Sequence, residues 1–404
     1  MKTRELLWIL LLAALTTLGL DLVTNAINTQ GNAWDFLYYI ALAKDGFHAD
    51  PLASPFAYRY LTPFIVHGIS LLGFSIERGF GIIAYFGAIM QLTGIFFFIK
   101  WLGNSTKGAY LAMAVTALSL FNVKFLLFDI YRPDHLAYAL ILLQTYLAFN
   151  RKFLPLLLTT LIASQIREFN IIPMVAYLFM SFRTTERGLF IKQAAISTIC
   201  LVPAILLPRL LIPVTENYQL VGLSGDALLT TVILPFIPSV DVNFIFSIFA
   251  YLLPLLFLAD LKAIKAAFAS LPENQRGYVL AYTLLVLLLS FFGGTDFNRF
   301  ATFLFLPQII LIGLITPAIS SLQISLMLAV AFIFNRLWMH IPDWDVEKYR
   351  DFYGGFSLRL NMSTLNRIME LAAFWVLGFG VRKWQGTTQT MESQRHENTT
   401  PQRK

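Results

Sequence analysis

Charged residues are scarce in this chain: 13% of its 404 residues are Asp, Glu, Lys or Arg, whereas 57% are hydrophobic. A soluble domain carries about 25% charged residues, so the composition excludes an ordinary soluble protein. Cysteine is nearly absent, and the single Cys200 lies inside an apolar stretch, which excludes a disulfide framework and a cysteine metal site. The chain also lacks a P-loop and a dinucleotide fingerprint, which argues against a nucleotide-driven enzyme.

Apolar stretches of membrane-spanning length recur from one end of the chain to the other, and they predict an all-α, polytopic membrane protein. We expect about twelve transmembrane helices, with interfacial helices in the outer loops. The predicted spans are 6–22, 79–99, 108–128, 134–149, 153–167, 168–182, 190–212, 242–259, 278–292, 299–316, 322–340 and 365–381. The first span lacks a small-residue cleavage site, so we interpret it as a retained helix rather than a signal peptide.

The net charge of +7 is spread over short loops and the C-terminal tail, which indicates membrane topology rather than nucleic-acid binding. If both termini are cytoplasmic, the connections rich in Lys and Arg fall on the inner side. These residues include Lys100, Lys107, Arg151, Lys152, Arg183, Arg187, Lys192, Lys262, Lys265, Arg276, Arg382 and Lys383. This topology requires that segment 60–74 does not cross the membrane, because a crossing would move every later loop to the other side. We expect the non-crossing version, in a bacterial cytoplasmic (inner) membrane.

Two domains are expected: residues 1–384 form a single transmembrane domain, and the polar residues 385–404 form a disordered cytoplasmic tail. Spans 153–167 and 168–182 are short and abut, which predicts two half-length helices that meet near the outer interface. Such segments are tolerated at membrane depth where they are buried in protein or line a cavity. The outer loops 26–59, 213–241 and 341–364 are long enough for small interfacial helices.

Ionisable residues of both signs collect on the predicted outer side. They are Asp35, Arg59, Arg132, Asp134, Arg167, Glu168, Asp296 and Arg299. Because charge near lipid is unfavourable, such a cluster predicts a functional site. The Arg167-Glu168 pair between two apolar half-helices is the sharpest signal. Adjacent residues on a helix point in different directions, so each is expected to meet another helix or a ligand.

Asp35 lies in an aromatic segment that also contains Tyr38 and Tyr39. A partly shielded carboxylate suits a general base, and aromatic faces suit the apolar faces of sugar rings. In the alternative interpretation, the aromatic residues form a membrane-interface belt and Asp35 caps an interfacial helix.

Each of the other charged residues also has two interpretations. The planar fork of Arg59 suits a phosphate, or it reaches lipid headgroups from a helix end. Asp134 binds at the site or caps the helix that follows Pro133. Arg132 binds substrate or forms a local ion pair with the neighbouring carboxylates.

A glycine turn precedes Asp296 and Arg299, and it permits close backbone approach to an anion at a helix N-terminus. Alternatively, Asp296 is an ordinary N-cap. Asp343 and Asp345, with Glu347, form an acidic pattern that is too weak to predict a metal site. A divalent metal is therefore possible but not supported, and no cofactor is predicted.

These motifs together resemble the GT-C-type integral membrane glycosyltransferases. The resemblance rests on Asp35 in a long first outer loop, on the sequence PFAYRYLTP at 55–63, on Arg132-Pro133-Asp134 and on Arg167-Glu168. It covers roughly the first half of the chain, and Asp296 and Arg299 match more loosely. The first loop lacks a clear double acidic motif.

The resemblance implies transfer of a sugar from a polyprenyl-phosphate donor to a glycan, lipid or protein acceptor, with inversion, on the outer side of the membrane. Cell-envelope glycan or glycolipid synthesis is the expected context, with membrane lipids as surroundings and no nucleic acid as partner. Asp35 would take the acceptor proton, and Asp134 and Glu168 would orient arginines or bind sugar hydroxyls. The implied substrate-binding residues are Arg59, Arg132, Arg167, Asp296, Arg299, Tyr38 and Tyr39.

A transporter or flippase of a lipid-linked or anionic solute is the alternative function, because it would use the same charges for binding or proton coupling. It predicts charges near the bilayer midplane and an inverted repeat, and neither is clear in the sequence. A polysaccharide polymerase or ligase would share the lipid-phosphate chemistry but usually has a larger single outer loop.

Overall fold

The computed structural model describes most of the chain, and the described residues are almost entirely helical. They are residues 3–27, 35–50, 52–217, 236–292, 297–342, 348, 352, 354 and 362–399. In these ranges strand is confined to one parallel pair, β1 (Ala53–Ser54) and β2 (Glu216–Asn217). The all-α class predicted from composition is confirmed.

Among the described residues, ten α-helices precede β2. In chain order they are α1 (Thr3–Leu22), α2 (Phe36–Asp45), α3 (Leu61–Ser70), α4 (Ile76–Trp101), α5 (Thr106–Leu118), α6 (Lys124–Phe128), α7 (Asp134–Phe149), α8 (Phe153–Ser164), α9 (Ile172–Thr184) and α10 (Arg187–Leu211). Short 3₁₀ helices lie at Gly46–His48, Phe56–Tyr58 and Glu168–Ile171. The last of these joins α8 to α9, so the two abutting half-length spans are a pair of short helices.

After β2, the residues that the structure describes contain seven α-helices. They are α11 (Pro238–Leu258), α12 (Leu261–Ser270), α13 (Glu273–Phe292), α14 (Phe297–Ala301), α15 (Phe305–Ile315), α16 (Ser321–Phe334) and α17 (Met362–Thr399). Helix α17 includes residues 385–399, where the composition predicts disorder. Extending a formed helix is easier than nucleating one, so a polar sequence can continue an apolar helix.

Six helical segments in the described ranges are long and apolar enough to cross a membrane. They are Thr3–Leu22, Ile76–Trp101, Arg187–Leu211, Pro238–Leu258, Glu273–Phe292 and Phe297–Ala318, the last made of α14, α15 and the 3₁₀ turns around them. The chain is therefore a multi-helical protein with the character of a membrane protein. The count of about twelve spans stays a prediction, as do interfacial helices in loops 213–241 and 341–364, which lie largely outside the described residues.

Segment 60–74, on which the predicted topology depends, contains the ten-residue helix α3. At 1.5 Å per residue this helix is about 15 Å long. The hydrocarbon core of a bilayer is about 30 Å thick. Helix α3 is thus too short to cross alone, as are several other short apolar helices, and the non-crossing topology stays a prediction.

The predicted span 108–128 is not one continuous helix, because α5 ends at Leu118 and α6 begins at Lys124. Buried polar groups explain the interruption. Asn122 accepts a hydrogen bond of 2.9 Å from the Tyr251 hydroxyl. Lys124, fully buried, donates to the carbonyl oxygens of Leu337 (2.7 Å) and Met339 (2.5 Å). Burial of such groups requires partners, and the partners lie on distant parts of the chain.

Close packing of α4 against α7 depends on Gly87. A Cβ at this position would lie 2.5 Å from the Cβ and 3.0 Å from the carbonyl carbon of His135. Small residues at helix contacts let backbones approach closely in membrane proteins. Gly87 therefore positions the start of α7, which carries Asp134.

We expect Gly87→Ala to lower the stability of the protein by about 1–3 kcal/mol, since overpacking forces the helices apart. Thermal unfolding in detergent would measure this as a lower apparent Tm. Gly81→Ala is the matched control in the same helix, because its nearest neighbour would be the Ile130 Cδ1 at 4.0 Å. Equal Tm values for the two variants would contradict the packing role.

Candidate functional site

Four arginines and four carboxylates from six separate segments meet in one cluster, which we call the charge cluster. Its members are Asp35, Arg59, Asp129, Arg132, Asp134, Arg167, Glu168 and Arg299. They come from the start of α2, the turn before α3, the α6–α7 connection, the first turn of α7, the α8–α9 junction and α14. The cluster joins both halves of the chain.

Arg59 and Glu168 form a bidentate ion pair. The Nη2 of Arg59 lies 2.5 Å from Oε1 of Glu168, and its Nε lies 3.0 Å from Oε2. A planar guanidinium matches a carboxylate in this way. Burial opposes the charge of Glu168, but Arg59 and Arg167 outweigh it and lower the pKa of Glu168 to about 2. Glu168 is thus ionised near neutral pH, and its side chain keeps 39% exposure.

Asp134 lies between two arginines. Its carboxylate oxygens are 3.1 Å from Nε of Arg167 and 3.0 Å from Nε of Arg299. The cap position of α7 is Pro133, so Asp134 is the first helical residue and not the N-cap. Its side chain and that of Arg167 have no solvent exposure. Asp134 therefore holds two guanidinium groups in place at the centre of the cluster.

Arg132 pairs with Asp129 (Nε to Oδ2, 2.5 Å) and with Asp35 (Nη1 to Oδ2, 3.4 Å). The local ion pair that was one of the two interpretations of Arg132 is present, and Arg132 also pairs with Asp35 in the first loop. Asp35 occupies the N-cap position of α2, but its side chain makes no capping hydrogen bond. Its carboxylate, 16% exposed, is held at the edge of the cluster instead.

Burial raises the pKa of Asp129, although Arg132 opposes this shift. Asp129 and Arg132 therefore form a buried ion pair at the α6–α7 connection.

Arg167 has unused hydrogen-bonding capacity. Its Nη1 and Nη2 are buried and have no hydrogen-bond partner among the described residues. The guanidinium carbon lies 5.9 Å from the ring centroid of Phe169 and 5.8 Å from that of Phe300. Buried donors are normally paired, so the two terminal nitrogens indicate a place for an acceptor.

Tyr39 interacts with both parts of the charge cluster, with Arg59 and Arg167 in one part and with Asp35 in the other. Its hydroxyl accepts a hydrogen bond of 3.2 Å from Nη1 of Arg59. It also interacts electrostatically with Arg167 and Asp35. Burial raises the pKa of Tyr39, so the phenol stays neutral. The neighbouring Tyr38 stacks on Phe56, with ring centroids 5.0 Å apart.

A cavity of about 190 Å³ adjoins the Arg59–Glu168 pair. One part of its wall is polar and contains Tyr58, Arg59, Ser164, Gln165, Glu168 and Arg209. The other part is apolar and contains Pro55, Phe169, Ile171, Ala204, Ile205, Pro208 and Leu289. The cavity is therefore amphipathic, with its cationic groups next to the charge cluster.

Comparisons with protein-family models, with curated proteins and with solved structures find no match. A helical fold alone does not specify a function, so the geometry of the site is the basis for one.

Arg209 was not among the residues that the sequence indicated. It lies in the last turn of α10, its guanidinium carbon is 5.0 Å from the ring centroid of Tyr58, and its Nη1 donates to the Ile205 carbonyl oxygen (2.7 Å). In the sequence it resembles an ordinary arginine at the end of a predicted span. The only signal was its place at the predicted outer end of span 190–212, away from the Lys-rich connections.

The structure places most of the predicted charged site residues in the charge cluster and does not describe the others. Seven of the eight charged residues proposed from the sequence lie in the charge cluster, and Asp129 is an additional member. Asp296 lies outside the described residues, as do Asp343, Asp345 and Glu347. Among the described residues no group of three or more His, Cys, Asp or Glu could hold a metal ion.

Proposed function

We propose that this protein is a membrane glycosyltransferase that moves a sugar from a polyprenyl-phosphate donor to an acceptor on the outer side of a bacterial inner membrane. The observation that carries this proposal is the pair of terminal nitrogens of Arg167, which are buried and have no hydrogen-bond partner among the described residues, while the next two residues, Glu168 and Phe169, line an amphipathic cavity. An anionic headgroup on an apolar chain has the chemistry that this combination fits. The glycosyltransferase-like motifs of the first half of the chain add to it.

The donor phosphate would be bound by arginines. Arg59 lines the cavity and Arg167 lies one residue from Glu168, which also lines it. Both guanidinium groups are oriented by carboxylates, through the Arg59–Glu168 and Arg167–Asp134 pairs. Donors fixed before the reaction stabilise developing negative charge without reorganisation, which makes them effective in a transition state. Asp134 and Glu168 are accordingly positioning residues.

The apolar part of the cavity would take the first isoprenoid units of the donor. Apart from Pro55, its wall comes from α10, α13 and the α8–α9 junction. Helix α10 is the least buried of the membrane-length helices, with 11% of its apolar window buried inside the protein. A lipid chain bound against α10 could therefore continue into the surrounding bilayer.

Asp35 would act as the general base. Its carboxylate would accept the proton of the acceptor hydroxyl while the hydroxyl oxygen forms a bond to the anomeric carbon of the sugar. The bond between that carbon and the phosphate oxygen breaks, and its electron pair leaves with the polyprenyl phosphate. A single displacement of this kind inverts the anomeric centre. Arg132 holds Asp35 in place, and neutral Tyr39 interacts with both Asp35 and Arg59.

The test is release of polyprenyl phosphate from labelled polyprenyl-phosphate sugars by the full-length protein reconstituted in vesicles. Release that requires both the protein and an acceptor extract is the expected result. Movement of the intact donor across the bilayer without cleavage would overturn the proposal in favour of a flippase. Binding of free phosphate or sugar phosphate without any cleavage of a lipid donor would equally overturn it.

Arg209→Gln is expected to raise the KM for the lipid donor about tenfold with little change in kcat, because an exposed cation contributes binding that is equal in ground and transition states. Steady-state kinetics at fixed acceptor concentration would measure both constants. Arg183→Gln is a matched control, since Arg183 is also exposed and lies 5.2 Å from an aromatic centroid, that of Phe179. A fall in kcat with unchanged KM would contradict a role in donor binding.

A further inference from the structure

A second and larger groove lies between α11 and α17, away from the charge cluster. Its volume is about 650 Å³. The wall consists almost wholly of apolar side chains, namely Phe249, Leu253, Leu256, Ala259, Leu261, Ile368, Leu371, Ala372, Trp375 and Phe379. Charged residues are confined to one end, where Asp260, Lys262 and Arg382 lie. The groove therefore has the polarity of a lipid molecule.

We propose that this groove binds one anionic phospholipid, with its phosphate next to Lys262 and Arg382 and its acyl chains along α11 and α17. The proposal concerns a site separate from the transfer reaction, and it does not depend on that reaction. Three features support it: the length of the groove, the charge at its end, and the predicted sidedness of that end.

The groove has the length of one lipid leaflet. The residues of α17 that line it run from Ile368 to Arg382, and at 1.5 Å per residue they span about 21 Å. A bilayer with its headgroup regions is about 40–45 Å thick, so one leaflet is about 20–22 Å. Trp375 of the wall is 52% exposed, so the groove is open from the side.

The charged end is closed and net positive. Arg382 closes it, because its Nη1 donates to the carbonyl oxygens of Leu256 (2.6 Å) and Phe257 (2.7 Å) at the end of α11. Asp260 carries one negative charge against the two positive charges of Lys262 and Arg382, and its Oδ1 accepts the backbone N–H of Ala263 at 2.7 Å and caps α12. Lys262, in the first turn of α12, is exposed. A phosphate at this end would therefore meet two cations.

Helix α12 contributes Leu261 and Lys262 to the groove and has the composition of an interfacial helix. None of its ten residues is buried, and it carries Lys262 and Lys265 together with Leu261 and Phe268. A short helix of this composition is suited to the headgroup boundary of a membrane. The Lys and Arg distribution predicts that this end faces the cytoplasm, where anionic lipids attract basic residues next to the membrane. The occupant is thus expected to belong to the inner leaflet.

Quenching of tryptophan fluorescence by brominated lipids tests the proposal. The full-length protein is reconstituted in phosphatidylcholine vesicles with increasing fractions of brominated phosphatidylglycerol or, separately, brominated phosphatidylcholine. We expect saturable quenching by the anionic lipid at a lower fraction than by the zwitterionic one. Trp375→Phe is expected to remove this saturable component, which assigns it to the groove.

Lys262→Gln is expected to raise the half-saturating fraction of the anionic lipid about fivefold, the factor for one basic residue near a membrane surface. Lys265→Gln is the matched control on the same helix, since Lys265 does not line the groove, and it should change this fraction less than twofold. Equal quenching by both lipids, or an equal effect of the two substitutions, would overturn the proposal. Quenching that decreases as the protein-to-lipid ratio rises would also overturn it, because a second copy of the chain would then cover the groove.

Discussion

Asp35→Asn is expected to lower acceptor-dependent release of polyprenyl phosphate by about 10²- to 10⁴-fold, the usual contribution of a general base. Asparagine has nearly the same shape as aspartate and can still accept a hydrogen bond from Arg132, whose Nη1 lies 3.4 Å from the carboxylate. The substitution therefore removes the proton acceptor and leaves the surrounding contacts largely in place. The effect should fall on kcat, with little change in the KM for the donor.

Asp45→Asn provides the control for this prediction, because Asp45 is exposed and ends the same helix, α2. It should leave turnover within about twofold of the wild type, as expected for a surface substitution. An unchanged rate for Asp35→Asn would refute the assignment of the base. Glu168 would then be the next residue to test, because it is more exposed than Asp134, the other carboxylate that pairs with Arg167.

Asp134→Asn is expected to destabilise the protein by about 3–5 kcal/mol, since it leaves the buried guanidinium groups of Arg167 and Arg299 without their shared counter-charge. Both arginines contact the carboxylate through Nε, at 3.1 and 3.0 Å. Turnover should fall as well, because Arg167 loses the group that orients it. Thermal unfolding in detergent and turnover at low temperature would measure the two effects separately.

Glu77→Gln is a control for charge removal alone, because Glu77 is exposed in the first turn of α4. It should change the apparent Tm little. A double-mutant cycle adds a sharper criterion: the effects of Asp134→Asn and Arg299→Gln should be strongly non-additive, since the two side chains form one ion pair. Additive effects would contradict the role of Asp134 as the common partner of two arginines.

Local sequence patterns were sufficient to identify the helical class and most of the charged site. Long apolar stretches identify membrane helices because a chain in lipid has to satisfy its backbone hydrogen bonds internally. Charged residues beside such stretches stand out because they are unfavourable near lipid, and this reasoning indicated Arg59, Arg167 and Glu168. Asp129 was treated as part of a local connection, and the structure adds it to the charge cluster through its pair with Arg132.

Only the tertiary structure decided which of these residues meet. Asp134 pairs with Arg299, and Asp35 pairs with Arg132, across separations that no periodic pattern encodes. The break between α5 and α6 also depends on distant partners, since Lys124 is satisfied by the carbonyl oxygens of Leu337 and Met339.

The two proposed lipid sites also combine features that the sequence shows with features that only the tertiary structure shows. The sequence by itself determined that this chain is an apolar, helical protein with arginines and carboxylates at the ends of its apolar stretches, because hydrophobicity and charge are properties of each residue. The cavity beside Arg209 and the groove between α11 and α17 were decided by the packing of helices that are far apart in the chain. A cavity is a property of the space between elements, so it exists only once those elements are in place.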